Sequence, residues 1–221
     1  MMIRPDNIIR SDRKTLAISV DAFNRLIVRA PKRCSEERIF AFLQAKEGWI
    51  LRKKAENAGA GVRLPSENLD GYELFLLGKP CKIRLEKRVS VGFDGEKNEL
   101  ALPEIAPKKR LVKWLKENAK RILAQVTAEK AREMGVGYKS VSVGSAKTRW
   151  GSCSFDNALR YSFRLIYAPK AVIEYVVVHE LAHTKYKNHS ALFWAEVARY
   201  IPDWKERRKW LKRHGALMEV F

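Results

Sequence analysis

The chain has 221 residues, enough for one large domain or two small ones, and 46% of them are apolar, which excludes a wholly disordered protein. It carries 44 Lys+Arg against 25 Asp+Glu, a formal charge of +19. No apolar run approaches the roughly 18–20 residues that span a bilayer, and the charged start MMIRPDNIIRSDRK lacks the apolar stretch of a secretory signal. Three scattered cysteines, Cys34, Cys81 and Cys153, fit a reducing compartment better than a disulfide framework, so the expected setting is cytoplasmic, away from membranes.

The first half reads as short strands around one helix. TLAISV (15–20) and RLIVRA (25–30) alternate with period two and form a hairpin across Asp21–Asn24. Ser35 followed by Glu36 and Glu37 is a helix start, and the helix is expected to run through IFAFLQAKEGWILRKKAEN to the Gly59/Gly61 pair. Two further hairpins follow, ELFLL with CKIRLE about Gly78, then VSVGF with ELAL about Asp94-Gly95. Prolines 103 and 107 mark a boundary, giving an amino-terminal β-rich region over 1–105 and a second domain over 106–221. Charge divides unevenly across it: 20 Lys+Arg against 15 Asp+Glu before, 24 against 10 after. A field of that sign attracts polyanions, acidic proteins or nucleic acid, though a solvated basic surface explains it equally well.

Past the boundary, Pro107 and Gly135 bracket a long amphipathic helix whose apolar face holds Leu111, Trp114, Leu115, Ile122, Leu123 and Val126. Two strands follow, SVSVGSAKTRWGSCS and LRYSFRLIYA. Pro169 then opens a helix through KAVIEYVVVHELAHTKY, and two shorter helices begin at Ser190 and Asp203, the second ending at Gly215.

His179, Glu180 and His183 lie in the most apolar of these helices. Residues four apart share a helix face, so both imidazoles can reach one cation. Glu180 is turned about 100° from His179, beside such an ion, where a carboxylate can take a proton from metal-bound water. A catalytic zinc site needs a third protein ligand. His189 would lie about 15 Å along a continued helix, so it joins only if the helix stops. TKYKNHS offers that stop, since Asn188 tolerates left-handed geometry and Ser190 can cap a new helix. His189 is thus the favoured third ligand, with His214 as the other candidate. The alternative of a satisfied core helix is weakened because three ionisable groups in apolar surroundings need a partner or a metal.

Around this motif, KTRWGSCS and LRYSFRLIYAPKAVIEYVVVHELAHTKYKNHSALFWAEVARYIPDW together resemble the YgjP-like metallopeptidase family, relatives of the WLM and SprT-like zinc proteases. The resemblance implies an α+β fold: a β-hairpin-rich amino-terminal region with one helix, then a zincin-like domain with a small antiparallel sheet and the HExxH helix. It further implies one Zn²⁺ per chain on His179, His183 and His189, with Glu180 as catalytic base and a peptide or protein as substrate. One departure is Ser162-Phe163, where many relatives carry Asn-Trp. A metzincin reading fails, because Tyr186 stands where that pattern needs Gly.

Gly151 signals a bulge or a close backbone approach. An edge strand there would suit pairing with an extended peptide, with Arg149 or Tyr186 contacting substrate. Cys153 as an inhibitory zinc ligand, Tyr167 as an oxyanion donor, and Phe193 and Trp194 as packing beneath the site complete the set. Two other classes stay open: a metal-dependent nucleotide phosphoanhydride hydrolase (although no GxxxxGK[ST] loop occurs) and a nucleic-acid-binding protein with a vestigial site.

Overall fold

Period-two burial organises the amino-terminal segment. In the computed structural model, which describes residues 3–21, 24–58, 65 and 67–221, strand β3 (Leu26–Pro31) buries Leu26, Val28 and Ala30 on one face. It pairs antiparallel with β2 (Ala17–Val20), as the hairpin patterning requires, and Asn24 takes the positive φ of the connecting turn. A strand that the sequence reading missed, β1 (Asn7–Ser11), runs parallel on its other side. The single helix expected from Ser35 is two: α1 (Glu36–Ala45), capped by the Ser35 side chain, and α2 (Glu47–Ala58), broken at Lys46. The expected Gly59/Gly61 stop lies outside the described residues. Ile39, Leu43 and Ile50 from these helices close the core over β3.

The described chain groups into two compact units, Met1–Leu64 with Arg213–Ala216 and Pro65–Lys212 with Leu217–Phe221. The expected boundary at 105/106 therefore falls inside the second unit. Its first sheet comprises β4 (Glu73–Leu76), β5 (Lys79–Glu86), β6 (Gly92–Asp94) and β7 (Glu99–Pro103) in the order β4-β5-β7-β6. Both expected hairpins form, and parallel pairing of β5 with β7 joins them. Leu74, Leu76, Cys81, Ile83, Leu100 and Leu102 bury one face.

Helix α3 (Pro107–Met134) has the bounds that Pro107 and Gly135 set. Gly135 adopts φ 62°, and the N–H of Val136 reaches back to the Ala131 carbonyl, which satisfies the last turn. The buried stripe runs Leu111, Leu115, Ala119, Leu123, Val126, Thr127, Ala131, Met134. Trp114 sits half-buried at its edge, against Phe93.

The two long strands expected next are shorter. The first splits into β8 (Ser140–Gly144) and β9 (Gly151–Cys153); the second keeps β10 (Ala158–Ser162) and then tightens into a 3₁₀ helix, Phe163–Tyr167. All five residues of that turn are buried, which removes the alternation a two-faced strand would need. The order is β8-β10-β9, and β10 is parallel to β8 and antiparallel to β9, so the sheet is mixed where an antiparallel one was expected. Arg164 is 1% exposed, and its guanidinium donates to the carbonyls of Ser145, Val220 and Phe221 and lies over the Phe163 ring. A buried cation with every acceptor supplied by backbone fixes this turn between β8 and the final residues. Helices α4 (Lys170–Ala182), α5 (Ala191–Tyr200) and α6 (Trp204–Arg213) follow, and α4 packs against α3. Among the described residues no helix is long and apolar enough to cross a membrane.

Candidate metal centre

Helix α4 is apolar over most of its circumference, with Val172, Ile173, Tyr175, Val176, Val177, Val178, Leu181 and Ala182 all buried and only its first turn, at Lys170 and Ala171, exposed. Glu180 is buried and His179 half-buried in its last two turns. The helix ends at Ala182, one turn earlier than Tyr186, where the sequence pattern placed it. His183 occupies the cap position, and the N–H groups of Lys185 and Tyr186 both bond back to the Ala182 carbonyl. Asn188 contributes through its side chain, whose Oδ1 accepts from the Ser190 N–H, and its backbone does not enter the left-handed region expected of it. Ser190 then caps α5 by accepting from the Phe193 N–H.

Two lysines pin this loop. Lys185 pairs with Glu196 at 2.6 Å, and Lys187 donates to Asn157 Oδ1 at 2.5 Å and to the Ser154 carbonyl at 3.2 Å. The reversal brings His189 back onto α4. One nitrogen from each of His179, His183 and His189 lies within 4.8 Å of the others, and the Nε2 atoms of His179 and His189 are 3.1 Å apart. His214 belongs to the 213–216 segment that groups with the amino-terminal unit.

Phe193 forms the floor, its ring centroid 4.9, 4.5 and 4.7 Å from those of His179, His183 and His189. Trp194 stacks on His189 at 5.6 Å, and Trp204 stacks on Trp194 at 4.2 Å. The packing role expected of Phe193 and Trp194 is what the fold uses them for. Rings fixed this way lose little freedom on meeting a ligand.

The donor chemistry suits a borderline-soft dication. Burial pushes the His179 imidazole down to about 3, and burial also lowers His183, so both are neutral and hold a lone pair at neutral pH. His183 Nδ1 lies 3.0 Å from the Tyr186 carbonyl, which can only accept. The proton thus sits on Nδ1 and Nε2 is left free for a metal. His179 Nδ1 is buried without a hydrogen-bond partner.

Glu180 is buried against β9, and burial pushes its carboxyl up to about 8. The β9–β10 register is one for one, Tyr161 opposite Gly151 and Leu159 opposite Cys153, so Gly151 marks a close approach and not a bulge. Arg149 is exposed in the loop before β9 and, among the described residues, makes no hydrogen bond or ion pair. Tyr186 meets the cluster through its backbone carbonyl. Tyr167 is wholly buried in the 3₁₀ helix, where its hydroxyl has no partner. Cys153 is half-buried and lies outside the histidine cluster. The carbonyl of Tyr186 and the two pinning lysines escaped the sequence reading, because backbone acceptors and loop lysines carry no motif of their own.

No curated protein matches the chain. Among solved structures it is similar to the metallopeptidase zymogen jannalysin of Methanocaldococcus jannaschii, at 20% identity and a TM-score of 0.38 over 41% of this chain and 94% of that one. It is likewise similar to the metallopeptidase zymogen abylysin of Pyrococcus abyssi, at 21% identity and a TM-score of 0.38 over 41% and 93%. The family model described as YgjP-like, metallopeptidase domain, matches residues 14–214, and the chain belongs to that family.

Proposed function

We propose that this protein is a zinc-dependent peptidase that holds one zinc ion on His179, His183 and His189 and uses Glu180 to move the proton. The observation that carries this reading is the convergence of three imidazole nitrogens, two of them neutralised by burial, beside one buried carboxyl. Zinc bound there supplies Lewis acidity, which lowers the pKa of a coordinated water and polarises the scissile carbonyl. Glu180 accepts the proton of the attacking water at a carboxylate oxygen and returns it to the departing amine nitrogen. A dication in the histidine cluster favours the ionised form of that carboxyl and so opposes the effect of burial. Strand β9 is the edge of its sheet and lies against α4, so its outer backbone groups are available to an extended peptide. Arg149, exposed just before that strand, is the residue we assign to an anionic group on the substrate.

The test has two arms on protein purified without chelator. Elemental analysis should find one zinc per chain, and Glu180→Gln should keep the zinc while losing peptidase activity. Peptidase activity equal to wild type in Glu180→Gln would overturn the assignment. A nucleoside triphosphate assayed alongside separates the phosphoanhydride alternative.

A further inference from the structure

Among the described residues, Gly151 is the one glycine whose missing side chain is filled by the candidate proton-transfer group. A Cβ built on it would lie 2.6 Å from Glu180 Oε1, 2.8 Å from Cγ and 2.9 Å from Cδ. Real carbon–carbon contacts do not come that close, so a side chain at 151 and the present Glu180 rotamer exclude one another. Backbone conformation is not the reason for glycine here. Gly151 is absent from the positive-φ residues, and it pairs with Tyr161 in an unbroken antiparallel register. Any residue could adopt its backbone angles; what only glycine supplies is room for the carboxyl.

We infer that Gly151 is a positioning residue whose bare Cα cradles the Glu180 side chain between β9 and α4 and fixes the direction in which its carboxylate faces. This deepens the reading of Glu180 as the proton carrier and rests on it. Strand β9 contributes the wall: Ser162 N–H donates to the Trp150 carbonyl at 2.9 Å, which anchors the strand one residue before the glycine. The far wall is the buried face of α4, where Val176, Val177 and Leu181 are packed into the core. Between two fixed walls, an added methyl is relieved only by rotating the Glu180 side chain. The fold tolerates that rotation, but the proton-transfer geometry does not, because misplacement by about 1 Å costs on the order of 100-fold in rate.

The test is Gly151→Ala in the zinc-loaded, full-length protein. Zinc content and KM should match wild type while kcat falls on the order of 100-fold. Glu180→Asp, one methylene shorter, should restore part of that loss when combined with Gly151→Ala, a rescue that a purely structural glycine would not show. Gly151→Ala should also add nothing to the defect of Glu180→Gln. Should Gly151→Ala not fold, Gly151→Ala/Glu180→Ala removes the clash and should fold; failure of that pair overturns the inference. Wild-type kcat in Gly151→Ala, with Glu180→Gln inactive, overturns the inference alone. Full activity in Glu180→Gln instead removes the reading beneath it.

Discussion

The Nδ1 atom of His183 lies 3.0 Å from the carbonyl oxygen of Tyr186, three residues further along the chain. The contact closes inside one tight turn, so the local chain reversal fixes the imidazole tautomer without help from a distant element. It also uses backbone, which makes the identity of residue 186 irrelevant to metal binding. Tyr186→Phe should bind zinc as wild type does. His183→Gln should lose more than the roughly 10–100-fold in affinity that loss of an outer partner costs. Calorimetric titration with zinc compares the two; equal losses in both variants would show that the phenol, and not the carbonyl, supports the site.

Zinc should stabilise the fold by an amount that grows with the logarithm of its free concentration above Kd, since the cluster forms only after α4 and the 183–190 loop are in place. Free zinc at about 100 times Kd adds roughly 2.7 kcal/mol, which corresponds to several degrees in Tm for a domain of this size. Thermal scans with chelator and with zinc measure the gap. His189→Ala should remove most of it, because His189 is the cluster member that the chain reversal beyond the α4 cap brings back. A gap unchanged in His189→Ala would place the stabilising ion elsewhere.

The turn that props the start of α4 gives a prediction on stability alone. Leu77 and Gly78 both have positive φ, 52° and 80°, as a two-residue hairpin turn requires, and their N–H groups bond to the carbonyls of Ile166 and Tyr167. A Cβ on Gly78 would meet Pro169 Cγ at 2.7 Å and its Cα at 2.9 Å, the second being backbone that cannot move aside. Gly78→Ala should lower stability by about 1–3 kcal/mol, read as a lower denaturant midpoint at unchanged slope. Leu77→Asn should be neutral or mildly stabilising, since Asn tolerates the left-handed region better than Leu.

Local signals account for the parts of this fold that the sequence made legible. Pro107 and Gly135 bound α3 because caps act through neighbouring backbone, and HELAH with the stop after it leads to a three-histidine cluster because helix periodicity is a local rule. What the residues could not reveal depends on pairing at a distance. The parallel partner of β3, the β5–β7 pairing that carries 73–103 into the second unit, and the parallel β8 are all choices among compatible edges. Phe163–Tyr167 carries strand-like residues but is buried on every side, so tertiary packing overrides its propensity. Gly151 was visible as a close approach, yet what approaches it, Glu180, lies 29 positions away in another element.

Glu180 makes the zinc-free protein sensitive to pH in a direction that can be stated in advance. Burial raises its carboxyl from 4.5 to about 8 in the folded chain. Between those values the folded state holds a proton that the unfolded state has released, so stability is full below about 4.5 and declines as pH rises towards 8. The ceiling on that decline is about 1.4 kcal/mol for each pH unit crossed. Gln at this position does not titrate, whereas His179 and His183 titrate in both proteins and cancel from the difference. With chelator present, the stability of Glu180→Gln relative to wild type should therefore rise steadily from pH 5 to pH 8. Adding zinc should flatten that rise, because the dication favours the carboxylate that burial opposes. Urea midpoints at pH 5, 6, 7 and 8, with chelator and with zinc, provide the comparison. A difference that stays level across the chelated series would mean that water reaches the carboxyl, and the closed contact with Gly151 would then not persist in solution.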